Sequence, residues 1–381
     1  MEALRISSGF PLRSSIKRAS RSPTLPHALS LSAPGMRNLQ PSSAMEAARS
    51  SKSGWSGRRG LSVVAGSGSD NGSTKSAPQI GESFFRSVLA SMEHVYLNRN
   101  PTAKAILELV QSNCEERICY DHLAFRTFAV NGYGIDSMAK FFLDFGYTQR
   151  EELRFPAKKL KALWFSPPGT EKSSSGSGMY GPLPRIFISE LLVDQMSPQA
   201  QEIIKRYTHG FGGGEYAALA SSVGSLTWGT PSSSEFQQLA GESEYAAWTL
   251  VNGYALNHVT ISAHRLKSHL REINNLNQFI AENGFSLNSE GGVLKVSPDG
   301  LLLQSSTVAD SRSFHFSDGA TAPVPCSYIE FAERLVLPQH TNLPVSEVKE
   351  HHRRDGFEVG NADKIFESTS KEQLTKKTVA H

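Results

Sequence analysis

Two segments of this 381-residue chain repeat one pattern, and that repetition limits the possible folds more than any other feature. Asp121-His122-Leu123-Ala124-Phe125-Arg126-Thr127-Phe128 has the β-branched and aromatic content and the period-2 alternation of a strand. It leads through Ile135 to Phe145 and the turn Gly146-Tyr147-Thr148. Asn257-His258-Val259-Thr260-Ile261 leads likewise through a helical stretch, Leu266 to Ile280, to Asn283-Gly284-Phe285. His to Gly spans 24 residues in the first unit and 26 in the second. A period of about 135 residues exceeds that of solenoid repeats and predicts two copies of one module.

Each copy reads as a strand, a helix, a Gly turn and further strands. Leu160 to Phe165 and Arg185 to Leu191 continue the first copy. Gly292–Val296, Leu301–Ser306 and Cys326–Leu335 continue the second. Ser297-Pro298-Asp299-Gly300 is a hairpin turn, because Pro and Gly supply the dihedrals it needs. The expected class is α+β. Module one spans about 120–195, a helical insertion about 196–250 and module two about 255–340, within a domain of residues 83–368. Residues 369–381 read as a loose polar tail.

Residues 1–66 are rich in Ser and Arg, and Glu46 is the single acid between Glu2 and Asp70. That composition marks an organellar transit peptide and lacks the apolar run of a secretory signal. High Ser content and weak helical periodicity favour the plastid over the mitochondrion, with Val63-Val64-Ala65 as the processing site. Residues 67–82 read as a flexible linker. Much of the net charge of +3 comes from this N-terminus, so nothing points to nucleic acid. No run of 18 apolar residues predicts a membrane span. Cys114, Cys119 and Cys326 lack the spacing of a zinc site, and an odd, sparse count fits a reducing compartment. His209-Gly210-Phe211-Gly212-Gly213-Gly214 lacks the Gly-Lys-[Ser/Thr] of a phosphate loop.

The chemistry concentrates on the repeat. On a strand, His122, Ala124 and Arg126 share one face, with the α-carbons of His122 and Arg126 about 13 Å apart. Tyr328-Ile329-Glu330-Phe331-Ala332-Glu333-Arg334 closes module two, and a carboxylate between Ile and Phe needs a partner if it faces inward. His122 and His258 at matched strand starts, with Glu330, form a two-histidine, one-carboxylate set. Such a set binds Fe(II) on one face and leaves positions open for substrate and O₂. The ligand types equally suit Zn, Mn or Ni. Glu330 could instead pair with Arg334, and Glu190, read as its counterpart in module one, has a similar claim. His209, His264, His315, His351 and His352 also compete, but none sits at a matched strand start.

These three motifs together resemble the 2-oxoadipate dioxygenase/decarboxylase family, also called 2-hydroxyglutarate synthases, in a plastid-targeted plant form, over roughly 84–368. The resemblance implies a vicinal-oxygen-chelate-like core of two βαβββ modules with additional helices. It implies Fe(II) as cofactor, held by His122, His258 and Glu330, with Arg126 on a substrate carboxylate. Gly360 and Asn361 then belong to a segment that closes the substrate pocket. The implied reaction converts 2-oxoadipate and O₂ to 2-hydroxyglutarate and CO₂, in lysine catabolism in the chloroplast or amyloplast stroma. The substrate carries its own 2-oxo group, so no separate 2-oxoglutarate is consumed. Other readings stay open: a dioxygenase for another 2-oxo acid, a metal-dependent isomerase or lyase on the same fold, and a non-catalytic plastid interaction protein. No oligomeric state follows.

Overall fold

The computed structural model describes residues 77–114, 117–130, 132–169, 176–209 and 216–379. By contacts the chain divides into Met1–Asn71 and Gly72–His381, and every described element belongs to the second unit. The expected transit peptide, the first part of the linker and the Gly-rich run after His209 lie outside the described residues.

Helical structure begins earlier than Ser83. Helix α1 (Ala77–Arg99) buries Phe85, Leu89, Met92 and Tyr96, one face at helical spacing. Helix α2 (Pro101–Cys114) starts on a proline, whose missing N–H costs nothing at a first helical position. Module one follows as β1 (Tyr120–Phe128), α3 (Ile135–Asp144), β2 (Thr148–Phe155), β3 (Leu160–Ser166) and β4 (Arg185–Leu191). The insertion is helical, as expected: α4 (Pro198–Thr208), α5 (Ala217–Val223), α6 (Ser233–Glu242) and α7 (Glu244–Asn252). Module two is β5 (His258–Ser262), α8 (Ile273–Glu282), β6 (Lys295–Val296), β7 (Leu302–Ser306) and, after the small hairpin β8 (Ser311–His315) and β9 (Thr321–Pro325), β10 (Tyr328–Arg334). Helices α9 (Val359–Ile365) and α10 (Lys371–Val379) end the described chain.

Eight of these strands form one sheet in the order β2-β3-β4-β1-β5-β10-β7-β6. The order has the same meaning read from either end, since each module contributes its strands in the reverse sequence of the other. β1 lies parallel to β4 and β5 parallel to β10, while β1 and β5 meet antiparallel at the centre. Two βαβββ modules thus share one continuous sheet.

The module helices confirm the duplication at the level of single residues. α3 buries Ile135, Met138, Ala139 and Phe142; α8 buries Ile273, Leu276, Asn277 and Ile280, the same four positions. Asn277, in the place of Ala139, is satisfied by the hydroxyl of Ser305. Each helix also receives a carboxylate at its first backbone N–H. Ile135 N donates to Glu190 (2.8 Å) and Ile273 N donates to Glu333 (2.8 Å). An acceptor there satisfies an orphan donor and meets the positive end of the helix dipole. A Cβ at Gly134 would stand against Glu190 Oε2 and push the carboxylate aside, so glycine leaves room for this cap.

Glu190 is therefore the counterpart of Glu333, and its reading as the counterpart of Glu330 is corrected. In register, Thr260 sits opposite Glu330, and the matching residue of β1, Ala124, sits opposite Phe187. The polar tail is corrected too. Residues 371–379 form α10, with Gln373 buried and Lys377 paired to Asp310. Edge strand β2 (Thr-Gln-Arg-Glu-Glu-Leu-Arg-Phe) exposes most of its residues, and so lacks the apolar alternation that marks a strand.

Glu190→Ala and Glu333→Ala are each expected to cost about 0.5–2 kcal/mol, the usual worth of a helix cap. The double variant should lose their sum, because the two carboxylates serve different helices. Urea unfolding of the three variants measures both statements.

Candidate metal centre

The strand register brings the candidate ligands together. His122, Thr260 and Glu330 lie in one row across β1, β5 and β10, and Ala124, His258 and Tyr328 in the next. Side chains of the two rows that stand on the same face converge over β5, because strands are about 4.8 Å apart and alternate residues share a face. The result is a buried triangle of His122 Nε2, His258 Nε2 and the Glu330 carboxylate. Its sides are 3.3 Å between the two nitrogens, 3.0 Å from His258 to Oε2 and 3.6 Å from His122 to Oε1. Two ligands at about 2.1 Å from one ion stand about 3.0 Å apart at a right angle and about 3.4 Å apart at a tetrahedral one. The donor set and its spacing fit a single divalent cation.

The rings are turned by the residues that precede them. His122 Nδ1 bonds Asp121 Oδ1 (2.8 Å) and His258 Nδ1 bonds Asn257 Oδ1 (3.0 Å). An ionised carboxylate only accepts, so His122 carries its proton on Nδ1 and offers a lone pair at Nε2. Metal-bound histidines are commonly held this way. Asp121 is itself gripped by Arg334, through Nε at 2.6 Å and a terminal nitrogen at 2.9 Å, and by Arg185 at 3.5 Å. Arg334 then ties to the backbone carbonyls of Arg354 and Gly356. Arg334, read from sequence as a partner for Glu330, serves Asp121 instead.

Electrostatics follow from burial. For Glu330, burial raises the pKa, but the two imidazoles outweigh it and hold the carboxyl at about 2. Burial depresses the His122 imidazolium, yet Glu330 and Asp121 carry it above its ordinary value; for His258 burial prevails and its pKa falls. The site is a buried anion that already draws positive charge.

On the far side of Glu330, Gln304 Nε2 donates to Oε1 at 2.7 Å, and Asn361 Nδ2 donates to Gln304 Oε1 at 3.0 Å. The triangle opens on a cavity of about 20 Å³, walled by Phe187 and Tyr328 on the sheet and by Phe357, Ile365 and Phe366 from the C-terminal segment. Gly360 is exposed and is not among the residues that line it, whereas Asn361 is buried and reaches Gln304 and the Leu302 carbonyl.

Arg126 lies on the same face of β1 as His122, fully buried. Its terminal nitrogens donate to Thr369 Oγ1 (3.1 Å) and the Phe366 carbonyl (3.3 Å), and the rings of Tyr245 and Trp248 flank it at 5.0 Å. Its Nε and the Tyr328 hydroxyl are buried without a well-aligned hydrogen bond, and the two side chains lie within reach of each other. Burial lowers the Arg126 pKa, and Tyr328 offsets part of that. The guanidinium is not among the residues that line the cavity at the triangle; it lines a second cavity of about 220 Å³, together with Lys158, Lys159 and Glu367.

The competing histidines fall elsewhere. His209, His315 and His351 are exposed, His352 is on the surface turn after Lys349, and His264 pairs with Glu350. Sequence reasoning missed Asp121, Thr260, Gln304 and Tyr328 as parts of the site. Asp121 and Tyr328 stood in the quoted motifs, but Gln304 is an amide in a short strand with no spacing to mark it.

The profile of the 2-oxoadipate dioxygenase/decarboxylase family matches residues 88–211 and 214–343. The chain belongs to this family. A chloroplastic 2-oxoadipate dioxygenase/decarboxylase of Arabidopsis thaliana is 66% identical over 330 residues, 84% of this chain and 89% of that protein. The hydroxyglutarate synthase of Oryza sativa, crystallised with 2-oxoadipate, is 66% identical with a TM-score of 0.77, covering 82% of this chain and 100% of that one. A protein of Ralstonia eutropha assigned to the glyoxalase superfamily, 18% identical, has a TM-score of 0.53 over 72% of this chain and 86% of its own, which speaks to the fold alone. The paired βαβββ sheet is thus the vicinal-oxygen-chelate core that the motifs implied.

Arg334 and Arg185 hold the Asp121 carboxyl well below its ordinary range against the opposing effect of burial. A depressed native pKa adds stability that is present above the unfolded value, about 3.9, and is lost as pH falls below it. Asp121→Asn should cost about 3–5 kcal/mol at neutral pH, because it strands buried guanidinium charge. Between pH 5 and pH 3, urea unfolding should show the wild-type protein losing more stability than the variant.

Proposed function

We propose that this protein is an Fe(II)-dependent 2-oxoadipate dioxygenase/decarboxylase of the plastid, with His122, His258 and Glu330 as metal ligands and Arg126 as the residue that binds the far carboxylate. The observation that carries this reading is the buried His122–His258–Glu330 triangle with Arg126 on the same strand face, in a chain 66% identical to an enzyme crystallised with 2-oxoadipate. The Ser- and Arg-rich N-terminus and the chloroplastic relative support the plastid as its compartment.

The atoms balance without a second organic substrate: 2-oxoadipate and O₂ give 2-hydroxyglutarate and CO₂. The C1 carboxylate leaves as CO₂, C2 becomes the new carboxylate and C3 gains the hydroxyl. A bound Fe(II) supplies open positions for the 2-oxo acid and O₂ and the electrons that activate O₂. The chain does the rest. Arg126 offers an Nε–H without a well-aligned hydrogen bond and a charge in an apolar, aromatic setting, where a carboxylate bond is strong. The Tyr328 hydroxyl lies beside the Arg126 guanidinium and lines the cavity at the metal centre, where it is a second donor for the substrate. Phe187, Phe357 and Phe366 exclude water from the reacting carbons. A cavity of about 20 Å³ holds about one water, so its walls must part to admit a six-carbon diacid.

The test is oxygen uptake by the protein loaded anaerobically with Fe(II) and given 2-oxoadipate, 2-oxoglutarate or 4-hydroxyphenylpyruvate. Uptake with 2-oxoadipate, matched by CO₂ and 2-hydroxyglutarate, is expected. Silence with all three despite one bound iron per chain would overturn the reading. His258→Ala and Glu330→Gln should lose both bound iron and uptake. Arg126→Lys should keep its iron but raise KM for 2-oxoadipate about 10–100-fold, the worth of a charge-assisted bond of roughly 1.5–3 kcal/mol.

A further inference from the structure

The hydrogen bonds behind Glu330 run in one direction only. The Leu302 carbonyl can only accept, so the Asn361 amide that reaches it at 3.3 Å must present its NH₂ there. The same NH₂ reaches Gln304 at 3.0 Å, which obliges Gln304 to turn its carbonyl toward Asn361. The Gln304 NH₂ is then left facing Glu330 Oε1, at 2.7 Å, where the carboxylate can only accept. All three side chains are buried, at 2% exposure or less, so bulk water does not compete at any link. With Oε1 claimed by Gln304, Oε2 is the oxygen presented toward His258.

Asn361 belongs to α9, the helix that also supplies Ala362 and Ile365 to the cavity wall. A second tether joins the same segment to the same strand: Ser368 Oγ bonds Ser306 Oγ at 2.8 Å and takes a bond from Asn288. Ser306 stands opposite Glu330 in the ladder, yet its tether does not touch the carboxylate. Segment attachment and carboxylate orientation can therefore be separated by mutation.

We propose that Gln304 and Asn361 are positioning residues that set the orientation of Glu330 toward the metal, through a polarity fixed by the Leu302 carbonyl. Neither touches substrate in this role; Asn361 acts through Gln304, and Gln304 through Glu330. The inference rests on the reading of Glu330 as a metal ligand. Asn361→Asp keeps the shape of the side chain but removes its donors. Gln304 must then turn its NH₂ toward the carboxylate introduced on α9 and its carbonyl toward Glu330, setting two acceptors face to face. Gln304→Met keeps volume and removes the donor altogether.

The experiment is anaerobic titration of the metal-free full-length chain with Fe(II) alone, without substrate, alongside the d–d spectrum of the Co(II)-loaded protein. Asn361→Asp and Gln304→Met should each weaken Fe(II) binding 10–100-fold, the usual range for residues that orient a ligand, and shift the Co(II) bands. Ser368→Ala, which cuts the other tether, should leave affinity and spectrum within about twofold of wild type. Thermal melts report folding, and either relay variant that stays folded decides the matter. Wild-type affinity in a folded relay variant would overturn the proposal. So would an equal loss in Ser368→Ala, which would mean that anchoring the segment is all that matters. If wild-type protein bound no Fe(II), the metal-ligand reading itself would fall, and this inference with it.

Discussion

The antiparallel pairing of β1 with β5 governs everything else in the molecule. It joins the two modules into one sheet, so neither has an exposed edge at the junction. It also fixes which side chains meet. Because Ala124 lies opposite His258 and His122 opposite Thr260, the two imidazoles are offset by one row and approach from neighbouring strands. A slip of one residue would send His258 to the opposite face and separate the rings. Register, more than any property of the three side chains, makes the triangle.

That geometry is sustained against a heavy electrostatic penalty. Glu330, Asp121, Arg126 and Arg334 are all buried, and isolated charges in such surroundings are costly. The structure answers each in kind: two guanidinium groups for Asp121, two imidazoles and an amide for Glu330, aromatic faces and two oxygens for Arg126. The networks meet at His122, which touches Asp121 on one nitrogen and Glu330 on the other. Strength of fold and readiness for a cation therefore draw on the same groups.

Much of this was legible in the chain itself, and the rest was hidden for identifiable reasons. His122 and His258 stood out because the repeat put them at matched strand starts, Arg126 because strand periodicity put it on the face of His122, and Glu330 because a carboxylate between Ile and Phe needs a partner. Helices α3 and α8 carried their apolar stripes openly. Strand β2 did not, because an edge strand with polar residues on both faces has no pattern to read. The hairpin of β8 and β9 carries Pro323 and Pro325, which disguise a strand that only its partner defines. Glu190 misled because counting along a sequence does not give register. Gln304 was silent because its importance lies in hydrogen-bond partners distant in sequence.

The two modules are not equally altered by divergence. Both keep the carboxylate that caps their helix, Glu190 in one and Glu333 in the other, three residues beyond Phe187 and Glu330 respectively. The capping position stayed the same while the position facing the cavity became an aromatic ring in one copy and an acid in the other. A symmetric pairing of module one with itself would bring two histidines and no acid; module two with itself would bring two histidines and two acids. An odd number of donors is reachable only when unlike halves pair, as the two modules of this polypeptide do. The broken symmetry of Phe187 and Glu330 thus sets the stoichiometry of the centre: three donors, because only one of the two halves brings an acid.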